Sequence, residues 1–346
     1  MIGLGKSGQM YRTTLVHVLF TLVCLVSAPT RAETCPPLQM LDQIRLVPVT
    51  NGPSLLIPVT IDGVDKFMIF DTGAPASAVT RAVAEQLHLS VHPILPGPAS
   101  FELADGYGDL SRDGTEVPEF KFGREEMRDF LLRMWPDPNL DKADLRLAGV
   151  FSIKELSPYD VDVDFPNRVL SLFSPEHCEG KILYWKADTV AVGEVELRSN
   201  HIHVPAFLDG QKFDAIIDSG APNSSLSAGA ARRFFGLTPA SPGIEKWPSL
   251  TQYPEYPVYK HKFDALVFNG MTVSDPLVAI WPDIVNRNTD RTRQSTSSRA
   301  HFDRVDVEVP QLIIGMDILR TLHVYFAFRE HRMYASALSQ NLSPSK

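Results

Sequence analysis

Two aspartates stand in the same local sequence 147 residues apart. Asp71 is followed by Thr-Gly-Ala, and Asp218 by Ser-Gly-Ala. In each case a short apolar run ends in the acid. Two carboxyl groups in contact cannot both ionise cheaply, so they share a proton and titrate as a coupled pair. The ionised group can then deprotonate a water while the protonated one protonates an amide carbonyl. This is the chemistry of peptide hydrolysis without a metal or a covalent intermediate.

The residues beside the acids suit a paired arrangement. Glycine lets two backbones approach where a Cβ would clash. A hydroxyl can hydrogen-bond across a twofold axis and hold a turn rigid. The sequence therefore predicts a catalytic pair, Asp71 and Asp218, with six supporting neighbours. These are Thr72, Gly73, Ala74, Ser219, Gly220 and Ala221.

Both acids belong to a long internal repeat, which is the firmest structural feature of the sequence. Around the acids the two copies align without a gap. Repetition indicates duplicated folding units, and packing them about a pseudo-twofold axis would bring the acids face to face. The matched segments are Pro58–Gly63 with Pro205–Gly210, Phe67–Pro75 with Asp214–Pro222, Thr80–Leu87 with Ser227–Phe234, Trp135–Asp137 with Trp281–Asp283, and Leu147–Gly149 with Ile313–Gly315.

The elements that carry these motifs are predicted to be mainly strands. Short apolar runs such as Leu55–Ile61 and Ile202–Leu208 are bounded by Gly, Pro, Asn and Asp. Helical patterns are short and few, and Thr80 and Ser227 each open one as a hydroxyl N-cap. The length of 346 residues suggests two domains. We therefore expect an all-β, two-lobed chain with a signal peptide at 1–32, a first lobe at 33–185 and a second lobe at 186–346.

The N-terminus predicts export to the periplasm or out of the cell. Lys6 and Arg12 precede the mostly apolar stretch Thr13–Ala28, and small residues then offer a cleavage site after Ala32. An uncleaved membrane anchor is the alternative, although the stretch is short for a span of about 20 residues. Export permits disulfides, so the remaining cysteines are predicted to form one bridge, with two free buried thiols as the alternative. These cysteines are Cys35 and Cys178.

The two Asp-Thr/Ser-Gly-Ala motifs, each followed by an apolar-apolar-Gly segment, resemble those of the aspartic proteases. They are most similar to the retropepsin-like branch, here fused into one chain as in pepsins. The resemblance implies a bilobal β-barrel fold, a peptide or protein substrate, no cofactor and no metal. With both lobes in one chain it implies a monomer. It assigns the segments packed beside the acids to Leu147-Ala148-Gly149 and Ile313-Ile314-Gly315.

The resemblance also implies a hairpin flap over the cleft and a particular pH range. Pepsin-like enzymes commonly carry a hydroxyl donor where Ala74 and Ala221 stand, so we expect a bell-shaped profile peaking at about pH 4.5–6.5. The first-lobe segment with the composition of a hairpin tip is the flap candidate, and an ordinary surface turn is the alternative. Its residues are Asp105, Gly106, Tyr107 and Gly108.

Two alternating polar patterns have plainer interpretations. His201 and His203 fall on a predicted strand with no third ligand in sight, which favours a solvated strand face over a metal site. Asp160, Asp162 and Asp164 alternate in the same way. They lack the glycine and terminal glutamate of a calcium loop, so an acidic strand face is preferred.

The leading functional hypothesis is an aspartic endopeptidase outside the cytoplasm. A protease fold that has lost turnover and only grips a peptide is the alternative, and the presence of both acids, hydroxyls and glycines argues against it. A glycosidase fits poorly because its carboxyl groups are about 5 Å apart or more. The net charge of −8 argues against nucleic acid as a partner.

Overall fold

The computed structural model describes residues 35–50, 52–94, 103–104, 110–111, 113–135, 145–248, 257–283 and 311–337. Pro36–Lys346 forms one compact unit. The predicted signal peptide at 1–32 and the flap candidates at 105–108 lie outside the described residues. The boundary between two lobes at 185 and 186 stays a prediction.

The described chain consists mainly of strands, as predicted. Its first part contains β1 Met40–Arg45, β2 Val47–Pro48, β3 Leu55–Ile61, β4 Val64–Asp71, β5 Ala78–Val79, β6 His92–Pro93, β7 Leu103–Ala104, β8 Leu110–Ser111, β9 Asp113–Phe122, β10 Glu125–Met134, β11 Leu147–Ser152, β12 Asp160–Asp164 and β13 Val169–Phe173. Its second part contains β14 Ala191–Glu194, β15 Glu196–Arg198, β16 His201–Leu208, β17 Gln211–Ile217, β18 Ser225–Ser227, β19 Glu245–Lys246, β20 Tyr259–Lys262, β21 Ala265–Phe268, β22 Met271–Ser274, β23 Leu277–Trp281, β24 Leu312–Ile314, β25 Leu322–Ala327 and β26 Arg332–Ala337.

Helices are short. Those among the described residues are α1 Arg81–Gln86, α2 Ala228–Phe235 and α3 Met316–Leu319, with 3₁₀ turns at Ile153–Leu156 and Phe328–Glu330. The two predicted N-caps are confirmed. The Thr80 side chain accepts a hydrogen bond from the Val83 N–H, and that of Ser227 accepts one from the Ala230 N–H.

Three large sheets contain all of the described strands except β7 and β8, which pair with each other. The first sheet has the order β2-β3-β4-β11-β5-β10-β9-β6. The second sheet has the order β19-β20-β23-β18-β24-β17-β16-β21-β22, with β15 beside β16. The central sheet, β1-β13-β12-β25-β26-β14, takes strands from both parts of the chain, and β12 pairs antiparallel with β25. The duplicated sheets are therefore joined through a sheet that the repeat did not predict.

The first and second sheets repeat each other in their pairing. The hairpin β3–β4 recurs as β16–β17, and both hairpins turn through Asp-Gly with positive φ at both residues. The parallel pair β4–β11 recurs as β17–β24, and the parallel pair β5–β10 recurs as β18–β23. Each acid-bearing strand thus lies between its hairpin partner and a parallel strand from later in the chain.

The core follows from the alternation of these strands. Leu55, Ile57, Val59 and Ile61 of β3 are at most 5% exposed, whereas the residues between them are partly exposed. One apolar cluster runs through both duplicated sheets. Since burial of one large apolar side chain contributes about 1.5–3 kcal/mol, this cluster holds the strands, and with them the loops at their ends, in place.

The predicted acidic strand face on β12 is wrong. Asp160 and Asp162 are 0% and 1% exposed, and they hydrogen-bond His177 and His323 at 2.7 and 2.8 Å. Burial raises the pKa of both carboxyls. An apolar cluster around Ile182 packs on this side of the central sheet. A buried carboxyl needs such partners because its desolvation is otherwise uncompensated.

The predicted cysteine bridge is supported. Cys35 and Cys178 are both disulfide-bonded, and the Cys178 N–H donates to the Pro36 carbonyl at 3.1 Å. Within the described ranges, no helix has the length and apolar character needed to cross a membrane.

Candidate active site

The two predicted acids lie at equivalent ends of buried strands. β4 ends at Asp71, and β17 ends one residue before Asp218. On the first sheet, Ser152 of the parallel neighbour β11 stands opposite Asp71. Both acid loops therefore start from ladders that the core holds rigid.

Thr72 and Ser219 lock the two loops together by reciprocal hydrogen bonds. The Thr72 hydroxyl donates to the Ile217 carbonyl at 2.7 Å and accepts from the Ser219 N–H at 3.0 Å. The Ser219 hydroxyl donates to the Phe70 carbonyl at 2.7 Å and accepts from the Thr72 N–H at 3.1 Å. Both side chains are at most 1% exposed. Every bond crosses from one half of the chain to the other, so the pair fixes the distance between the acids.

The glycines leave the space that the opposite acid fills. An ideal Cβ placed on Gly73 would lie 2.3 Å from Asp218 Cγ, and one on Gly220 would lie 2.3 Å from Asp71 Cγ. Real Cβ atoms do not approach so closely. Each carboxyl therefore rests against the glycine of the other loop, where the sequence had predicted a close approach of the two backbones.

Backbone N–H groups converge on both carboxyls. Asp71 Oδ1 accepts from the Gly73 N–H at 2.9 Å. Asp218 Oδ1 accepts from the N–H groups of Gly220 and Ala221 at 2.8 and 3.0 Å. Donors of this kind favour the charged form of a carboxyl. The backbone N–H groups of the loops thus donate hydrogen bonds that the alanine side chains cannot donate.

Burial dominates the electrostatics of the pair. It raises the pKa of Asp71, and the charge of Asp218 raises it further, well above the usual range. Burial also raises the pKa of Asp218, which the Ala221 and Gly220 N–H groups and a hydrogen bond from Asp71 partly lower. That hydrogen bond raises the pKa of Asp71 and lowers that of Asp218. Both pKa values are raised, so the pair favours a state with one proton and one negative charge between the two carboxyls, and both residues keep a partly exposed surface.

A buried serine ties each acid loop to the strand behind it. The Ser77 hydroxyl accepts from the Ser152 N–H at 3.0 Å, and the Ser224 hydroxyl accepts from the Gly315 N–H at 3.0 Å. The first serine then donates to Glu155 at 3.1 Å, and the second donates to Asp317 at 2.7 Å. Burial raises the pKa of both of these carboxyls.

These contacts correct the predicted match behind the first acid. Phe70 pairs with Phe151, as Ile217 pairs with Ile314, so Val150-Phe151-Ser152 is the counterpart of Ile313-Ile314-Gly315. The assignment to Leu147-Ala148-Gly149 is wrong by three residues. Gly149 suggested the wrong match because the backbone requires a glycine at this position for a different reason. Its φ is 152°, and a Cβ there would lie 2.0 Å from the Ala78 carbonyl oxygen.

Sequence reasoning also missed a contact from the second half to the first acid loop. The Asn200 side-chain amide donates to the Pro75 carbonyl at 2.8 Å. The predicted solvated face is wrong for His203, which is 7% exposed and lies 3.0 Å from Asp214. The signal available in the sequence was the short polar turn before His201.

Two further features bear on the predicted cleft. β7 and β8, which flank the flap candidates, pair antiparallel as the two arms of a hairpin. Across the described ranges, no group of three or more His, Cys, Asp and Glu side chains could hold a metal ion.

Comparison with known proteins agrees with the resemblance for the first acid. Residues 57–138 match a family described as aspartyl protease, a stretch that includes Asp71 to Ala74. A comparison with curated proteins gave no match. Among solved structures, basic 7S globulin from soybean is similar at 9% identity and a TM-score of 0.44, covering 87% of this chain and 95% of that chain.

Proposed function

We propose that the chain is an aspartic endopeptidase whose catalytic pair is Asp71 and Asp218. The observation that carries the proposal is the reciprocal seating of each carboxyl on the glycine of the opposite loop. Two neighbouring buried carboxyls that share one proton would supply one acid and one base in the same site. A glycosidase keeps its carboxyls about 5 Å apart or more, whereas here each carboxyl rests against the loop that carries the other.

In the proposed mechanism the two acids act on a water and a peptide carbonyl. The ionised acid of the pair accepts a proton from the water as the water oxygen bonds to the carbonyl carbon, and the protonated acid gives its proton to the carbonyl oxygen. The tetrahedral diol then collapses, the C–N bond breaks, and the amine leaves with the proton that the first acid accepted. The second acid regains a proton from the diol, so one water is consumed and the pair returns to its starting state.

The proposal includes the setting of the enzyme. We propose two lobes with the cleft between them, a peptide or protein substrate, a monomeric state and export through a cleaved signal peptide. The disulfide-bonded state of Cys35 and Cys178 supports an oxidising compartment. The hairpin arms β7 and β8 support a flap built from the segment between them.

The test is a peptide-library digest read by mass spectrometry. Wild-type protein should cleave, and Asp71→Asn and Asp218→Asn should each lose cleavage while remaining folded. Asp264→Asn, on an exposed aspartate, is the matched control and should cleave normally. Cleavage by either pair variant at near the wild-type rate would refute the assignment. Binding of peptides without cleavage by the wild type would support the inactive alternative.

A second readout tests proton sharing without activity. A carboxyl whose pKa is raised in the fold contributes stability that is present below its unfolded pKa of about 3.9 and is lost as pH rises towards the folded value. Asp71→Asn should therefore stabilise the fold relative to wild type at pH 7, with the advantage shrinking on acidification. An advantage that is equal at pH 3 and pH 7 would contradict the raised pKa.

A further inference from the structure

Arg133, near the end of β10, is a buried cation. The residue is 7% exposed, and its backbone N–H donates to the Ser77 carbonyl at 3.0 Å. Within the described ranges its guanidinium has neither a hydrogen bond nor an ion pair. Burial lowers its pKa, yet an arginine keeps its proton in proteins. Because a buried charge is costly unless it is paired, this side chain is suited to an anion that arrives from outside.

The strand pattern directs Arg133 to the face of the first sheet that also carries the first acid. Leu132 and Met134, its neighbours on β10, belong to the main apolar cluster. Successive side chains of a strand point to opposite faces, so Arg133 lies on the other face. Phe70, the residue before Asp71 on β4, belongs to the same apolar cluster. Arg133 and Asp71 therefore share one face.

The nearest residues on this face offer the guanidinium no acceptor. Ala78 and Gly114 stand opposite Arg133 on the two neighbouring strands. Along the chain, the nearest residues on the same face are Leu131 and Trp135. None of these side chains carries a carboxylate, a carbonyl or a hydroxyl.

Trp135 adds a second hydrogen-bond donor beside the cation. Its indole N–H is buried and has no hydrogen-bond partner among the described residues. The ring packs against the small cluster that contains Ala74 of the Asp71 loop. Glu116 of β9, which carries the closest carboxylate along the flanking strand, is exposed and forms no ion pair with Arg133 in the described structure. Two such donors suit a carboxylate, whose oxygens offer about four acceptor sites.

The register places Arg133 within reach of a peptide bound at the acids. Ala78 stands opposite Val150 on β11, and Val150 stands opposite Ile69 on β4. Arg133 therefore lies three strands from β4, two residues before the level of Asp71. With strands about 4.8 Å apart and about 3.4 Å per residue, the two Cα atoms are about 16 Å apart. An extended peptide covers that distance in about five residues, and two long side chains that meet reduce this to about two to four.

The second half of the chain lacks this cation. Its pairing of Ser225 with Ala279 corresponds to the pairing of Ala78 with Arg133. Ala279 is 0% exposed. An alanine therefore satisfies the same strand pairing, and the fold does not require an arginine at this position.

We propose that Arg133, together with the Trp135 N–H, forms a subsite for an acidic side chain of the substrate, about two to four residues from the scissile bond. This inference rests on the proposed function and names its substrate class, which is peptides that carry glutamate or aspartate at this position. The planar guanidinium matches a carboxylate through two parallel hydrogen bonds. The arriving carboxylate supplies the counter-ion of the buried cation.

The experiment compares peptides that differ in one residue. A peptide found by the library digest is made with Glu or Gln at each position within about four residues of the cut, and kcat/KM is measured. At one position the wild type should prefer Glu at least about tenfold, the effect of hydrogen bonds to a charged group. The preference should shrink below about pH 4, where glutamate becomes protonated. Amidated and free C-termini are compared, and a preference for a terminal carboxylate alone would overturn the side-chain subsite.

Variants separate recognition from packing. Arg133→Met should bring the Glu-to-Gln ratio to about one, Arg133→Lys should keep part of it, and Arg133→Glu should prefer a Lys peptide to the Gln peptide. Trp135→Phe should lower the ratio by a smaller factor. Arg128→Met, on an exposed arginine of the same strand, is the matched control and should keep the wild-type ratio. Arg133→Met should unfold at a temperature at least as high as the wild type, because no paired charge is lost.

The proposal is overturned if the wild type shows no Glu preference at any position, or if Arg133→Met keeps the wild-type ratio. An Arg133→Met variant that unfolds at a lower temperature and keeps that ratio assigns the arginine to packing. Affinities of the Glu and Gln peptides for Asp71→Asn, measured by calorimetry, separate this inference from the proposed function. Glu-selective binding with no cleavage by the wild type supports the subsite and refutes the enzyme. Cleavage with no Glu preference refutes the subsite alone.

Discussion

Replacing Gly73 by alanine should push the two acids apart. The new Cβ would lie 2.3 Å from Asp218 Cγ and 2.4 and 2.6 Å from its two oxygens. Ordinary carbon–carbon contacts are about 3.5–4.0 Å, so the carboxyl must withdraw by about 1 Å. Thr72 and Ser219 hold the loops through backbone groups, so the loops cannot separate as a unit without breaking buried hydrogen bonds. The side chain of Asp218 is what moves.

The expected effect is large on catalysis and small on folding. A misplacement of about 1 Å can cost about 100-fold in rate, so kcat should fall by at least that factor. Gly220→Ala should act equally, because its Cβ would lie 2.3 Å from Asp71 Cγ. In both variants the charge of Asp218 acts less on Asp71. The pKa of Asp71 should fall, and the basic limb of any residual activity should move to lower pH.

The assay uses a peptide found by the library digest, with initial rates from pH 3 to 8 and unfolding monitored by circular dichroism. Gly52→Ala is the matched control, because an added Cβ there meets nothing within 4 Å. It should behave as wild type. The reasoning is refuted if Gly73→Ala or Gly220→Ala keeps more than about a tenth of wild-type kcat. It is also refuted if each variant loses activity only in proportion to the fraction of its molecules that are unfolded.

Three further predictions concern the Asp71 carboxyl, the buried Asp160 and the activation of water. Ala74→Ser, if its hydroxyl donates to Asp71, should lower the pKa of that carboxyl and move the basic limb of the profile to lower pH; an unchanged limb would mean that backbone donors already saturate the carboxyl. His177→Ala should cost about 3 kcal/mol in urea unfolding because it leaves Asp160 buried with only the Tyr325 hydroxyl, 3.3 Å away, as a hydrogen-bond partner, whereas His92→Ala on an exposed histidine should cost little. EDTA should leave cleavage unchanged if the acids alone activate water, and inhibition reversed by zinc would contradict this.

The duplication shows how much of the structure the local sequence pattern predicts. The Asp-Thr-Gly and Asp-Ser-Gly motifs each combine a buried strand, an acid and a glycine, and they recur with their N-caps at one offset. Folding units with one pattern adopt one local structure, so a close approach of the two loops at their glycines was predictable, whereas the contact of each carboxyl with the opposite glycine came from the structure. In such a loop the aspartate supplies a carboxyl, the hydroxyl residue supplies a hydrogen bond across the axis, and the glycine leaves room for the opposite loop.

The match behind the first acid was not decided by pattern. Leu147-Ala148-Gly149 and Val150-Phe151-Ser152 are both apolar pairs ended by a small residue, and glycine identity favoured the wrong one. The choice depends on the register of β11 against β4, where Phe151 pairs with Phe70. Register is a property of two strands, and a shift of three residues leaves the sequence of either strand unchanged.

What the sequence by itself determined is therefore local and repeated: the strands, the two N-caps and the placing of an aspartate at the end of two equivalent strands. The tertiary structure alone decided which polar groups are buried and which partners they have. Asp162 alternates on β12 as an exposed acid would, yet its partner His323 lies 161 residues away and comes to it through the central sheet. Asn200 reaches the Pro75 carbonyl in the same way, from the other half of the chain. Such pairs depend on how the sheets pack, because the sequence of one strand does not show which residues will cover it.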